Sequence, residues 1–364
     1  MTTSIYIHIP FCKSKCSYCD FISFTKNNYD EYAQRLIYEI KNCKELKNVT
    51  VKTIYIGGGT PSLFSCNLIE KILSQINFLT EIEITIEANP ESITREKINF
   101  YKAIGINRIS IGLQAIQDNL LKILGRAHNF QMFEKAYEIV AKTFDNINID
   151  LMFGLPKQNL DDWSKTLEYV KKIKPQHISA YSLIIEPNTK FYTERGNLQL
   201  PDENTERKMY EMTKKILAPD YYQYEISNFA LQKKFECQHN KIYWTLENYL
   251  GFGVAAHSFF NGIRWNNTND MQKYLTQNNF RENIIHSTPK SLMEEFMFLG
   301  LRMNCGVNKN IFQQKFGHNI KDIYGRQINL LKQKNLLTED KNSLYLTDFG
   351  MNFANYAMSE FILD

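Results

Sequence analysis

The sequence predicts an α/β protein: a partial (β/α)6 barrel, then an α+β segment, then a C-terminal helical, winged-helix-like module. Three observations carry that expectation. Six short β-rich runs alternate with longer segments of helical period up to about residue 183. Cysteine, glycine and carboxyl residues gather at the C-terminal end of one run after another, where a barrel of this kind keeps its chemistry. After Leu183 the alternation stops, and Pro187, Gly196, Pro201 and Pro219 punctuate the chain.

The β-rich runs cover residues 4–9, 51–56, 81–87, 108–113, 146–153 and 177–183. Helical patterns fall between them, at 29–46, 67–76, 94–104, 131–143 and 161–173, with Ser92, Thr94 and Asp161 as expected N-terminal caps. Strands and helices in this order form a parallel sheet with right-handed crossovers. Six units fall short of the eight of a closed barrel, so the expected barrel is open. Its domain covers residues 1–185, the α+β extension 186–288 and the last module 289–364.

The first run stops at Pro10 and opens into a loop carrying Cys12, Cys16 and Cys19, spaced C-x3-C-x2-C. Three thiolates suit an iron–sulfur cube that keeps one iron open for a ligand. Half a zinc site, or three unconnected thiols, is the plainer alternative; His8 is the one nearby fourth ligand, and it lies inside the strand.

Gly57, Gly58 and Gly59, followed by Thr60, close the second run. Glycines here serve either a strand-to-helix turn or a loop whose backbone approaches a ligand. Glu87 and Asp150 are carboxylates in apolar strands, where an unpaired charge is costly. A lysine, a helix cap, Arg126 or a cationic ligand would answer them, and Gln114 ends the fourth run with both a donor and an acceptor.

Beyond the barrel, a helical segment near 203–217 precedes residues 221–230, expected as a strand with a polar end. His239, Tyr243 and Trp244 follow in the string H-N-x-x-Y-W, with Cys237 two residues ahead. A neutral imidazole can ligate haem iron, and the two rings offer flat area to a porphyrin; equally, His239 can bond locally while Tyr243 and Trp244 pack. Gly251-x-Gly253 lacks the third glycine of a dinucleotide fingerprint. Residues 292–303, 311–316 and 323–332 are expected as helices, 333–346 as a hairpin and 348–361 as a last helix. No basic recognition helix stands out there, so the module is expected to cover or dock rather than bind DNA.

The whole composition agrees with a globular protein. Hydrophobic residues at 43% of 364 supply ample core, and charged residues make up 23%. The excess of 43 Lys and Arg over 39 Asp and Glu is spread along the chain, which argues against nucleic acid as a partner. There is no signal-peptide pattern and no apolar run long enough to span a bilayer. Seven cysteines, three of them bunched, do not form a disulfide framework, so a cytoplasmic location is expected.

With Cys12, Cys16 and Cys19 spaced C-x3-C-x2-C and Tyr18 before the last, the chain resembles the radical S-adenosylmethionine (SAM) superfamily. That resemblance implies a 4Fe–4S cluster on the three cysteines, SAM on the open iron and a radical SAM partial barrel around both. Within it, the chain is similar to the coproporphyrinogen-dehydrogenase-like branch. There Tyr6, Gly58, Gly59, Thr60, Glu87, Gln114, Arg126 and Asp150 match the SAM shell. The branch's best-known enzyme has room for two SAM molecules.

Two families of that branch compete. One is an oxygen-independent coproporphyrinogen III dehydrogenase; the other binds haem and hands it to respiratory haem proteins. The dehydrogenase carries a fourth cysteine two positions after the third ligand, where this chain has Phe21, and an extension before the first strand that this chain lacks. The carrier family is marked by H-N-x-x-Y-W, matched here by His239, Asn240, Tyr243 and Trp244. The resemblance therefore implies a haem chaperone with haem at His239, Tyr243 and Trp244, in porphyrin metabolism. Its implied partners are respiratory acceptors, some in membranes, with any membrane contact peripheral.

Overall fold

The computed structural model describes residues 1–25, 28–78 and 81–363. Six parallel strands run in chain order: β1 (Thr2–Ile9), β2 (Thr50–Gly58), β3 (Glu83–Ala88), β4 (Arg108–Gln114), β5 (Ile147–Phe153) and β6 (His177–Ser182). Each matches a predicted run within two residues. They form because both sheet faces are covered, and apolar residues, isoleucine above all, supply their buried positions; β4 is buried along its whole length. Ile7, Ile56, Ile86, Ile111 and Ile149 are all fully buried in the shared core.

The segment after β6 does not stand apart from this sheet. β7 (Tyr222–Glu225) and β8 (Asn228–Ala230) pair antiparallel along β6, whereas β9 (Tyr249–Phe252) lies parallel to β1 and carries β10 (His257–Phe260), β11 (Ile263–Asn267) and β12 (Arg281–His286) outward. The twelve strands end at β12 and β7, which do not pair with each other, so the barrel is open. The buried Glu39 carboxylate fastens the added strands to the helix Tyr29–Asn42. It accepts from Gly253 N–H at 2.9 Å, Asn267 Nδ2 at 2.6 Å and Tyr274 OH at 2.6 Å.

Several local expectations are corrected. The helix Leu160–Ile173 is capped by Asn159, not Asp161, because the cap must be extended and reach the third helical N–H; Asn159 and Asp162 form the capping box. Ser92 belongs to a short 3-10 turn, while Thr94 caps as expected. Residues 221–230 make a hairpin turned at Ile226 and Ser227 rather than one strand. The last helix breaks in two, Asp348–Met351 and Ala354–Ser359, where Phe353 leaves helical geometry.

The C-terminal module has its own core, including Phe296, Phe312, Tyr324, Leu344 and Phe361. Around it stand the helices Pro289–Gly300, Lys309–Phe316 and Ile320–Gln333 and a small sheet of β13 (Val307–Asn308), β14 (Leu337–Glu339) and β15 (Ser343–Leu346). Leu246 and Phe259 of the barrel side join this core and tie the two parts together. Asp364 lies outside the described residues.

Candidate functional site

The cysteine loop is held at both ends and in the middle. Cys12 N–H donates to Phe24 O at 3.0 Å and Phe24 N–H to Pro10 O at 2.6 Å, closing the loop on β1. Ser17 N–H reaches Leu124 O, and Phe191 N–H reaches Ser17 O, both at 2.9 Å. Gly59 follows β2 so closely that a Cβ there would lie 3.0 Å from Cys12 Sγ and 2.7 Å from Phe11 O. Only glycine fits that approach.

All three thiols are free and half-buried. Burial raises the Cys12 thiol and pushes Cys19 up to about 11, so an electrophilic metal is what would deprotonate them. Donors already face the sulfurs: Thr60 Oγ1 lies 3.6 Å from Cys12 Sγ and Arg126 Nη1 3.6 Å from Cys16 Sγ. Hydrogen bonds to ligand sulfur are the means by which a protein tunes an iron–sulfur centre. The zinc alternative loses its fourth ligand, because His8 Nδ1 meets Tyr6 OH and Nε2 meets Ile22 O, both at 3.0 Å. Among the described residues no three His, Cys, Asp or Glu side chains converge on a single ion. The donor set fits a cluster, whose thiolates bind separate irons.

The three cysteines line one cavity with Gly58, Gly59, Thr60, Glu87, Gln114, Arg126 and Asp150. Strand ends place all of them. Gly58 has φ +112°, and a Cβ there would strike the His8 ring at 2.6 Å. At the end of β4 the register shifts between Gly112 and Gln114, and Gln114 takes a left-handed φ of +64°. Such a bulge re-aims a side chain, and strain of this sort gathers at functional sites. Gln114 Oε1 and Arg126 Nε are buried with no hydrogen-bond partner. Unused buried donors and acceptors beside two carboxylates fit the amino, carboxylate and ribose groups of SAM.

Tyr6 is set apart from the other matched residues. Its hydroxyl turns to His8 and its ring stacks on Tyr55 at 6.3 Å, behind the cavity wall. Other residues emerge only from the structure. Asn89 accepts from Arg126 Nη2 at 2.6 Å and donates to Thr60 Oγ1 at 2.9 Å, so one chain of bonds links Arg126 to the Cys12 sulfur. Asn148 Nδ2 and Ser110 Oγ donate to Asp150 at 2.7 and 2.9 Å, and Asn148 is itself held by His177 Nδ1 at 2.6 Å. Asn89 stands two residues after Glu87 at the strand end, a signal that could have found it; Asn148 and His177 depend on sheet register.

Glu87 accepts from Tyr55 OH at 2.8 Å and Gly58 N–H at 3.1 Å. Burial, and then the Asp150 charge, push its carboxyl up to about 7. A carboxyl with a raised folded-state value stabilises most below its unfolded value near 4.5, and that contribution is lost as pH rises through 7. Glu87→Gln should therefore leave stability at pH 5 nearly unchanged and raise it at pH 8, by at most about 3 kcal/mol. Thermal melts at the two pH values check this, and an equal change at both would refute it. SAM affinity should fall in the same variant, since an amide no longer answers a cation.

The H-N-x-x-Y-W string begins the short helix Gln238–Trp244, against the N-terminal ends of β2 and β3 rather than at the cysteine cavity. His239 is 1% exposed. Its Nδ1 meets Thr53 Oγ1 at 2.8 Å, its Nε2 meets Tyr243 OH at 2.9 Å, and its ring stacks on Tyr55 at 5.1 Å. Glu83 accepts the backbone N–H groups of Gln238 and His239 at 3.0 and 2.9 Å. In this structure His239 bonds locally, with both ring nitrogens engaged and buried, which is the geometry of the packing alternative. Tyr243 and Trp244 keep part of their surface, with the Arg302 guanidinium 4.3 Å over the Trp244 ring.

Comparison with known proteins adds a second line. The radical SAM superfamily model matches residues 6–170, and the HemN C-terminal domain model matches residues 287–353. The chain is 37% identical over 378 residues to heme chaperone HemW of Bacillus subtilis (strain 168), covering 99% of each. It is 38% identical over 375 residues to heme chaperone HemW of Lactococcus lactis subsp. lactis (strain IL1403), covering 99% of this chain and 97% of that one. A mitochondrial protein of Bos taurus, radical S-adenosyl methionine domain-containing protein 1, is 30% identical over 94% of this chain and 83% of its own. Among solved structures, coproporphyrinogen III oxidase (HemN) from Escherichia coli superposes with a TM-score of 0.85 over 99% of this chain and 90% of that one. Its 22% identity makes this a likeness of fold alone.

Proposed function

The chain belongs to the radical SAM superfamily, in the family of the heme chaperone HemW, and we propose that it is a haem carrier. In this reading it binds haem and passes it to respiratory haem proteins, with a SAM-ligated 4Fe–4S cluster on Cys12, Cys16 and Cys19. The observation that carries the reading is similarity along the whole chain, 37% over 99% of both sequences, to a protein bearing that name. Phe21, where the dehydrogenase has its further cysteine, supports it and is 58% exposed beside the cluster loop.

A cluster with one open iron would hold the amino and carboxylate groups of SAM and could pass an electron to its sulfonium. This chain's own residues bind and orient. The Gly58–Gly59 backbone makes room for the methionine end, and Thr60 and Arg126 hold the thiolate sulfurs. Glu87 and Asp150 present negative charge held by Tyr55, Gly58, Ser110 and Asn148. Gln114 and Arg126 contribute the unused donors and acceptors. Delivery to membrane-bound acceptors would be by contact, since among the described residues no helix is long and apolar enough to cross a membrane.

Two assays on anaerobically reconstituted protein test the proposal. Haem titration followed by absorbance should saturate near one equivalent, and coproporphyrinogen III incubated with SAM and a reductant should remain unconsumed. Turnover without haem uptake would make the chain a dehydrogenase instead.

A further inference from the structure

Behind Asp150, which lines the cysteine cavity, runs a buried chain of hydrogen bonds. Asn148 Nδ2 donates to Asp150 and to Ser110 Oγ, both at 2.7 Å, which uses both of its hydrogens. The Asn148 carbonyl oxygen is left to accept, and it faces His177 Nδ1 at 2.6 Å, so that nitrogen carries the proton. Burial, and then the Arg108 charge, hold the imidazole well below its usual value. His177 is therefore neutral, and its Nε2 is an acceptor. Tyr224 OH donates to Nε2 at 2.9 Å, and the Tyr224 oxygen takes the Cys237 N–H at 3.2 Å.

Every donor in this chain points the same way, from Cys237 toward Asp150. None of Asn148, His177, Tyr224 and Cys237 is more than 4% exposed, so bulk water does not compete along it. The chain crosses β5, β6 and β7 and ends on the residue that precedes the Gln238–Trp244 helix. Bonds joined head to tail in a water-poor interior polarise one another, and a charged acceptor strengthens those behind it. SAM carries a net positive charge, which favours Asp150 as the anion.

We propose that His177 and Tyr224 are positioning residues that couple the SAM site to the start of the H-N-x-x-Y-W helix. SAM in the cavity tightens the chain, and the chain holds the helix. The coupling rests on the SAM reading above and gives a role to two residues that do not line the cavity. Such coupling is reciprocal, so displacing the start of the helix weakens SAM binding by the same factor.

The test is hydrogen–deuterium exchange over residues 237–244, on the full chain with its cluster reconstituted, with and without SAM and without reductant. In the parent, SAM should slow exchange there about fivefold, the low end of couplings between sites. Tyr224→Phe keeps the ring's packing with Ala230 and Met303 and removes only the hydroxyl from the chain. It should bind SAM about fivefold more weakly and lose the SAM-dependent protection. A hydroxyl that served the fold alone would raise exchange equally with and without SAM. His177→Gln interrupts the chain one link nearer Asp150, should give the same result, and stands in if Tyr224→Phe does not fold. Full SAM-dependent protection, or parental SAM affinity, in the folded variants would overturn the coupling. So would a parent chain that binds SAM with no change over 237–244. A parent chain that binds no SAM would overturn the SAM reading and this coupling with it.

Discussion

Replacing Cys16 by serine should remove the iron–sulfur absorbance of the reconstituted protein and its SAM binding together. In the proposed cluster Cys16 is the middle of three ligands, so the variant would leave two thiolates for a cube that needs protein ligands on three irons. A serine hydroxyl is far harder to ionise than a thiol and does not replace a thiolate on iron. Arg126 Nη1, now 3.6 Å from the Cys16 sulfur, would face a shorter side chain and keep its bond to Asn89. The apoprotein should fold unchanged, within roughly 1 kcal/mol, because Cys16 lies in a half-buried loop outside the core. Iron and sulfide analysis with SAM binding at equilibrium makes the measurement. Parental iron content in Cys16→Ser would remove the loop from the cluster assignment.

The same loop shows what a sequence can disclose and what it cannot. Cysteine spacing, the strand before it and the glycines after β2 are local, and each states its chemistry within a few residues. The six core strands are equally legible, because each sets apolar, isoleucine-rich positions in a short run bounded by helical pattern. What hides is whatever depends on register between distant segments. Asn148 becomes a support for Asp150 only because β5 places them on one face and β6 sets His177 beside them. The hairpin at Ile226 and Ser227 carries no glycine or asparagine in its turn to announce it. β9 joins β1 across more than two hundred residues of chain, a pairing no local pattern contains. In the motif helix, two turns long, spacing leaves open which way His239 points; Thr53 and Glu83, from strands far away in sequence, decide it.

That placement makes His239→Ala a stability variant with a large effect. The ring fills a buried site, and its loss strands the Thr53 and Tyr243 hydroxyls, each at about 1–3 kcal/mol if left unpaired. A cavity also opens against Tyr55, so the total should reach roughly 3–5 kcal/mol. Burial, and then the Arg108 charge, hold the imidazole down at about 3, so the folded state keeps it neutral. The unfolded chain takes up a proton near 6.5, and stability therefore falls as pH drops from 6.5 toward 3. His239→Ala should be less stable than the parent at pH 7.5, with the gap narrowing toward pH 5. Denaturant midpoints at the two pH values measure both effects. Haem affinity and the Soret band, read at a temperature where the variant is folded, test whether the imidazole also reaches the iron. A stable, folded His239→Ala that has lost its haem spectrum would return the imidazole to the iron, and would require the Gln238–Trp244 helix to turn outward when haem binds.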